Sequence, residues 1–350
     1  MSIRLAALTV AILALIAVPY AIGEQYYVNI ASQILLYAVF ALGLNILVGY
    51  GGLVSLGHAG LSGAASYAAA YLLAHGHGHA VAIAGALGAG LLTSAIFAAL
   101  SLRASGISFI MITLALGEII WGLAYRWISI TNGDNGISVS TRPAPFGISL
   151  ASADGFYNAT LILFLFSLAG CAIFVNSPFG AALAGTRDQP RRMNALGFHV
   201  WMIRFWAFMF SGLLSAIAGI LFVYYNQFIS PQALALTASA EGLLMVISGG
   251  AGTLLGPVVG AALVVIVKNV VSGVRFDVSG PMDFANVVKF ILNGLFQHWN
   301  FLLGAIFVLI VIFMPEGLVP GTVRLVRGAW RAGNRRKPAA ARPTAAEPKP

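Results

Sequence analysis

An acid in the middle of an otherwise apolar stretch is where chemistry is first expected, and Glu118 is such a residue, midway along the run Ile107–Ile128. An ionised carboxylate is costly at membrane depth, so by default it marks a transport path, a proton relay or a partner. The other reading is a protonated or hydrogen-bonded glutamate that fixes helix packing. Glu241 and Lys268 lie nearer the ends of apolar runs, where charged tips reach back toward water. His58, His199 and His298 are isolated, and neither an HExxH motif nor a Cys-His spacing occurs. His75-Gly76-His77-Gly78-His79 is the exception: alternating histidines can take a metal, although a plain polar turn between two spans is the expectation. Cys171 is the only cysteine and sits in an apolar run, which leaves no disulfide framework and no thiol metal site. The four lysines follow Val267, Val288, Arg336 and Pro348, so none closes a phosphate-cradling Gly-Lys-Ser/Thr loop. No catalytic constellation and no cofactor site is expected, and any ATP hydrolysis belongs to a separate chain.

Glycine carries a different signal. Val48-Gly49-Tyr50-Gly51-Gly52-Leu53-Val54-Ser55-Leu56-Gly57 resembles Val246-Ile247-Ser248-Gly249-Gly250-Ala251-Gly252-Thr253-Leu254-Leu255-Gly256, each a Gly-Gly break followed by a small hydroxyl residue and leucine. Paired interrupted helices in the two halves of a chain are the trace of a transporter repeat, with unwound backbone near the path. The alternative for any one of these glycines is close helix packing. Small residues also recur every four positions at Ala207, Ser211, Ser215 and Gly219, and at Gly252, Gly256 and Gly260. Such stripes let helices approach closely, here around a cavity or without one.

The elements that must hold these residues are membrane helices. Of 350 residues 59% are hydrophobic and only 8% charged, with mean hydropathy +0.91, where soluble domains carry about 25% charged residues. The apolar runs predict spans at Leu5–Ile22, Ile30–Val48, Leu61–Ala74, Ala80–Leu102, Ile107–Ile128, Tyr157–Val175 and Phe205–Tyr225. Ala240–Val271 reads as one bent span or two short ones, Phe284–Trp299 as an interfacial segment, and Phe301–Met314 as a final span ended by Pro315. The fold class is therefore an all-α integral membrane protein, a polytopic bundle of about 8–10 transmembrane helices with broken helices. Arg4, the stretch Leu5–Val18 and Ala21-Ile22-Gly23 resemble a cleavable secretory signal, yet an uncleaved first helix is simpler in a chain that is membrane-embedded throughout.

Charge sets the orientation. Arg187, Arg191, Arg192 and Arg204 face one acid, Asp188, in 176–204, which predicts a cytoplasmic loop. Counting spans puts 131–156, with its Asn132–Gly136 turn cluster, on the outside. Residues 1–320 then form the membrane domain. The remaining segment, 321–350, is a basic Pro/Ala-rich tail with eight lysines and arginines against Glu347, expected to be disordered and cytoplasmic and to lie against anionic lipid. Both termini are placed in the cytoplasm. The formal charge of +9 does not argue for nucleic acid, because the basic run lacks interleaved aromatics.

The run Gly43-Leu44-Asn45-Ile46-Leu47-Val48-Gly49-Tyr50-Gly51-Gly52-Leu53-Val54-Ser55-Leu56-Gly57-His58-Ala59-Gly60 resembles the signature of LivM-like permeases, the membrane subunits of branched-chain amino acid ABC importers. Ile112–Ile119, the Asn132–Gly136 cluster, Ser177–Gly180, Ala195–Gly197, Ile229–Pro231 and Met245–Pro257 are similar to that family in its own order. The resemblance implies a type II importer architecture in the bacterial inner membrane. Its parts would be a second, LivH-like permease chain, two cytoplasmic ATPase subunits and a periplasmic substrate-binding protein. Path candidates become Asn45, Gly51, Gly52, Ser55, His58, Glu118, Gly249 and Gly250. The resemblance also implies that a helical stretch around Arg187–Gly197 docks on the ATPase through Arg187, Asp188, Arg191, Arg192, Ala195, Leu196 and Gly197. Two departures stand out. Pro190 replaces an acid in that stretch, and Trp121 stands where the family often has an arginine three residues after its membrane glutamate. Branched-chain amino acids are the expected substrates; urea, short amides or aromatic acids are alternatives within the same family. A proton-coupled secondary transporter using Glu118 is the runner-up from another class.

Overall fold

Backbone amides in lipid have no water to bond to, so long apolar runs must satisfy their hydrogen bonds internally, as helices. In the computed structural model, which describes residues 15–17, 19, 24–140, 142, 150–273, 304–305, 307–309, 312–314, 316–322 and 324, the apolar runs fold that way. Helix α1 spans Gln25–Asn45 and continues into a π-turn at Ile46–Tyr50. It is followed by α2 (His58–Ala74), α3 (His79–Ser101), α4 (Ile107–Arg126) and the single turn α5 (Ile128–Thr131). The second part contains α6 (Ala153–Asn176), α7 (Pro178–Asp188), α8 (Pro190–Ala195), α9 (Val200–Asn226), α10 (Leu236–Gly249) and α11 (Gly256–Gly273). The expected spans from Ile30 to Tyr225 all correspond to helices, and the broken stretch after Ala240 resolves into two short helices. Five helices among the described residues are long and apolar enough to cross a membrane, with α10 and α11 as shorter apolar partners. The expected span Leu5–Ile22 and the basic tail lie mostly, and the segment Phe284–Trp299 wholly, outside the described residues, while Phe301–Met314 is described in part.

Burial sorts the spans into an inner and an outer layer. The apolar windows of α1 and α9 are 72% and 67% buried, against 28%, 22% and 28% for α3, α4 and α6. α1 packs on α6, α9 and α11, while α2 is wedged between α3 and α9. The stripe on α9 explains part of this: Ala207, Ser211, Ser215 and Gly219 are all buried against α1 and α2, as expected for packing residues. A Cβ at Gly219 would fall on the Ser62 carbonyl, and the Ser211 hydroxyl donates to the Gly43 carbonyl at 2.6 Å. The outward residues of α3 and α6 are Leu92, Ile96, Leu100, Ile162, Phe166 and Ile173, an uncharged face suited to lipid.

One minor departure from all-α architecture sits at the end of the bundle opposite the basic loop. Ile137–Ser138 (β1) pairs antiparallel with Phe228–Ile229 (β2), in register Ile137↔Ile229. Gln232 donates to Asp134 at 3.3 Å and Arg142 to the Tyr225 carbonyl at 2.9 Å, so the loop after α5 is tied to the α9–α10 connection.

Candidate functional site

The two Gly-Gly breaks, far apart in sequence, lie against each other. A π-turn widens the helix by one residue per turn, and here it carries the Gly51 amide to the Ile46 carbonyl at 3.0 Å before the chain leaves α1. That delivers Gly49 onto the second break so closely that a Cβ on it would overlap the Gly252 nitrogen. Asn45, at the end of α1, clamps the contact: its Oδ1 accepts from the Gly252 amide and its Nδ2 donates to the Thr253 carbonyl, both at 2.9 Å. Asn45 is buried, and its amide satisfies two backbone groups left over where α10 and α11 are interrupted.

The basic segment reaches the same place. Arg187 Nη1 donates to the Gly49 carbonyl at 2.7 Å while its Nε pairs with Asp188 at 2.9 Å, and its stem runs under Gly52, whose φ of +65° and missing side chain leave room for it. The helical stretch expected around Arg187–Gly197 is divided into two pieces. Arg187 and Asp188 end α7, Gln189 breaks the helix at φ −144° and ψ 77°, and Pro190 begins α8, where proline's missing N–H costs nothing. α8 has no buried residue; Arg191, Arg192, Ala195 and Leu196 are exposed, Leu196 by 65%. Gly197, at φ +88°, turns the chain out, with its amide bonded to the Asn194 carbonyl.

The exit from the first break is pinned from two sides. The Leu56 amide donates to the Thr113 hydroxyl on α4 at 3.3 Å, and the Ala59 amide to Ser239 on α10 at 3.0 Å. His58 starts α2 fully buried, its Nε2 2.6 Å from the Ser215 hydroxyl and its ring 5.3 Å from Phe40. His58 Nδ1 and the buried Ser55 hydroxyl have no hydrogen-bond partner among the described residues. Asn45, Gly51, Gly52, Ser55, His58, Gly249 and Gly250 thus belong to one constellation around the breaks. Glu118 does not join it: it lies on the open face of α4, exposed beside Met111, Ala115 and Ile119, without a hydrogen bond or ion pair among the described residues.

A family model described as branched-chain amino acid transport system / permease component matches residues 26–311. The chain belongs to that family. The permease is 29% identical to the high-affinity branched-chain amino acid transport system permease protein LivM of Salmonella typhimurium, over 84% of this chain and 70% of that one. It is also 29% identical to LivM of Escherichia coli, over 86% and 72%. The autoinducer 2 import system permease protein LsrC of Yersinia pseudotuberculosis is 32% identical over 41% of this chain and 40% of its own. Among solved structures, an inward-facing ABC transporter assigned to the metal-chelate type superposes with TM-score 0.45 at 16% identity, covering 86% of the permease and 99% of that chain.

Sequence reasoning missed one pairing in the permease. Glu241 and Lys268, read separately as residues near span ends, meet across α10 and α11 with Lys268 Nζ 3.5 Å from Glu241 Oε2. The Gly-rich turn between the two short apolar helices hints that they fold back on each other, but no local spacing joins these two residues. They line a cavity of about 270 Å³ between α1, α2, α9, α10 and α11, roofed by Ser230, Gln232 and Ala233. The three clustered histidines bond separately instead of converging: His75 Nδ1 to the Tyr71 carbonyl, His77 Nδ1 to the Leu72 carbonyl and His79 Nδ1 to the Tyr224 hydroxyl. No group of three metal-ligating side chains occurs among the described residues. Arg142, in the outer loop, stacks over Phe156 at 5.2 Å, and burial lowers its guanidinium pKa from the usual arginine value.

Proposed function

We propose that this permease is the transport-path subunit of an ATP-driven importer for branched-chain or similar small amino acids, with no catalysis of its own. The observation that carries the reading is the Arg187–Gly49 hydrogen bond. It ties the basic segment to the first helix break, which itself rests on the second through Asn45. Force applied to α7–α8 therefore arrives at unwound backbone on the path, as alternating access requires. α8 is six residues long with nothing buried, too short to hold itself in water, and Leu196 and Phe198 stand exposed on or beside it. A cytoplasmic ATPase subunit would cover it, with Ala195 and Leu196 as apolar contacts and Arg191 and Arg192 as fork-shaped donors to carboxylates. A second permease chain, LivH-like by family, would face α4, the described span with an acid mid-helix on an open face. A substrate-binding protein would deliver the amino acid from the periplasm. The location is the inner membrane, with both termini in the cytoplasm.

The test is reconstitution with a cognate second permease chain, ATPase and substrate-binding protein. Uptake of L-leucine should require ATP, persist after the proton gradient is collapsed, and stay within about tenfold of wild type in Glu118→Gln, which keeps the side chain's shape. Uptake that follows the proton gradient, or that Glu118→Gln abolishes in a normally folded complex, would establish the secondary-transporter reading instead.

A further inference from the structure

The basic side of the bundle holds a cleft that plays no part in the contact between the helix breaks. It opens between the end of α3 and the joint of α8 with α9, has a volume of about 450 Å³, and is lined by Leu102, Asn194, His199, Trp201, Met202 and Arg204. Arg204 brings a fixed charge to it. Its Nη2 donates to the Thr186 carbonyl at 2.6 Å, which holds the guanidinium against the end of α7. Among the described residues Arg204 makes no other hydrogen bond and no ion pair, and its Nε is shut off from water without an acceptor. A guanidinium carries five N–H groups and no acceptor, so one hydrogen bond leaves most of its capacity unused. Protein groups on this side do not supply the missing negative charge. Asp188 and Glu316, the described acids there, are already paired with Arg187 and Arg324. Arg103 follows Leu102 and Arg191 and Arg192 precede Asn194, so the segments that rim the cleft are basic as well.

We propose that this cleft holds the phosphate of an anionic membrane lipid. The inference is independent of what the permease carries and needs only that its basic side lie at one border of the membrane. Paired phosphate oxygens match the planar fork of an arginine, and the charge-assisted bonds they form are stronger than neutral ones. The dipole of α9, which begins in the cleft with no side-chain cap, adds to the same preference for an anion. The apolar surroundings select a lipid over a soluble ion. Trp201, stacked on Phe205 at 5.1 Å, and Trp206 are exposed on the first turns of α9, the placing of tryptophan at a membrane–water border. Ile96 and Leu100 are exposed on the last turns of α3, where acyl chains can lie while the headgroup stays in the cleft. Basic pockets between membrane helices on the cytoplasmic side suit anionic headgroups for these reasons.

The experiment is native mass spectrometry of the full-length chain in detergent, titrated with phosphatidylglycerol or phosphatidylcholine. The chain should retain phosphatidylglycerol selectively, and millimolar inorganic phosphate should not displace it. Arg204→Gln should weaken retention about tenfold or more, as expected for a lost hydrogen bond between charged groups, and Arg204→Lys should weaken it less. Because Arg204→Gln also breaks the link to Thr186 and can impair folding, His199→Glu gives a second reading. His199 is exposed and makes no side-chain hydrogen bond among the described residues, so this variant should fold normally while its carboxylate repels the phosphate. Arg126→Gln, which removes an exposed arginine at the far end of α4, should leave retention unchanged. Equal retention of the two lipids, wild-type retention in His199→Glu, or an equal loss in Arg126→Gln would overturn the site. Displacement by inorganic phosphate would overturn the assignment to a lipid.

Discussion

Between Ile46 and Gly57 the chain widens into a π-turn and then runs irregularly to α2, whereas between Gly250 and Leu255 it makes a tight turn from α10 into α11. The second break closes on itself: the Thr253 hydroxyl donates to the Gly250 carbonyl at 2.8 Å and accepts from the Gly256 amide at 3.0 Å, capping the next helix. Its counterpart in the first break, Ser55, is buried with an unpartnered hydroxyl. The first break is instead held from outside, by Arg187 at Gly49, Thr113 at Leu56 and Ser239 at Ala59. One break is a fixed turn and the other is suspended between three helices. Under the proposed function, the suspended one is where a pull on the basic segment would act.

The contrast can be attacked first at the contact itself. Gly49→Val puts side-chain atoms where the Gly252 backbone stands, with no flexible neighbour to give way, so the cost should reach the upper end of the 1–3 kcal/mol typical of overpacking, or exceed it. Thermal denaturation in detergent should show a large drop or no folded protein, and uptake should vanish; a near-normal melting temperature would mean that the breaks are not in contact.

Asn45→Ala is expected to have the next largest effect. It leaves the Gly252 amide and Thr253 carbonyl without their partner, at about 1–3 kcal/mol for an orphaned buried group, whereas Asn45→Asp sets a buried carboxylate oxygen against the Thr253 carbonyl and should lose as much or more. A loss below about 0.5 kcal/mol in Asn45→Ala, read by denaturant titration, would show that the clamp contributes nothing.

The smallest effects separate the hydroxyls. Thr253→Val removes a cap and should cost about 1 kcal/mol. Ser55→Ala removes a hydroxyl with nothing to bond and should stay within about 0.5 kcal/mol of wild type, or stabilise slightly. If Ser55→Ala proves the costlier of the two, the first break is not the looser one.

Much of this was legible because lipid permits few backbone solutions: six apolar runs from Ile30 to Tyr225 became helices with ends shifted by a few residues. The two Gly-Gly segments are alike in sequence, and the structure brings them into contact. What could not be read was which surfaces meet. Glu118 looks the same in sequence whether it faces the bundle or leaves it, because α4 is apolar around most of its circumference. Arg187 reads as a topology charge and, by resemblance, as a docking residue, and only the path of α7 beneath Gly52 makes it part of the break. Glu241 and Lys268 are 27 residues apart on separate helices, so no local spacing joins them.

The small outer ladder has a consequence for the order in which the molecule assembles. Asp134 and Gln232 are 98 residues apart in the chain, and Arg142 and Tyr225 are 83 apart. These bonds close only when α6 to α9 have inserted and returned the chain to the same side, so loop-closure entropy makes them late contacts. Buried Ile137, Val139, Ile229 and Leu234 then back them, in one apolar cluster with Tyr67, Ala70, Ala124 and Val223. The roof of the cavity therefore forms late and, once its apolar residues are seated on α2, α4 and α9, it opens only at the cost of that packing.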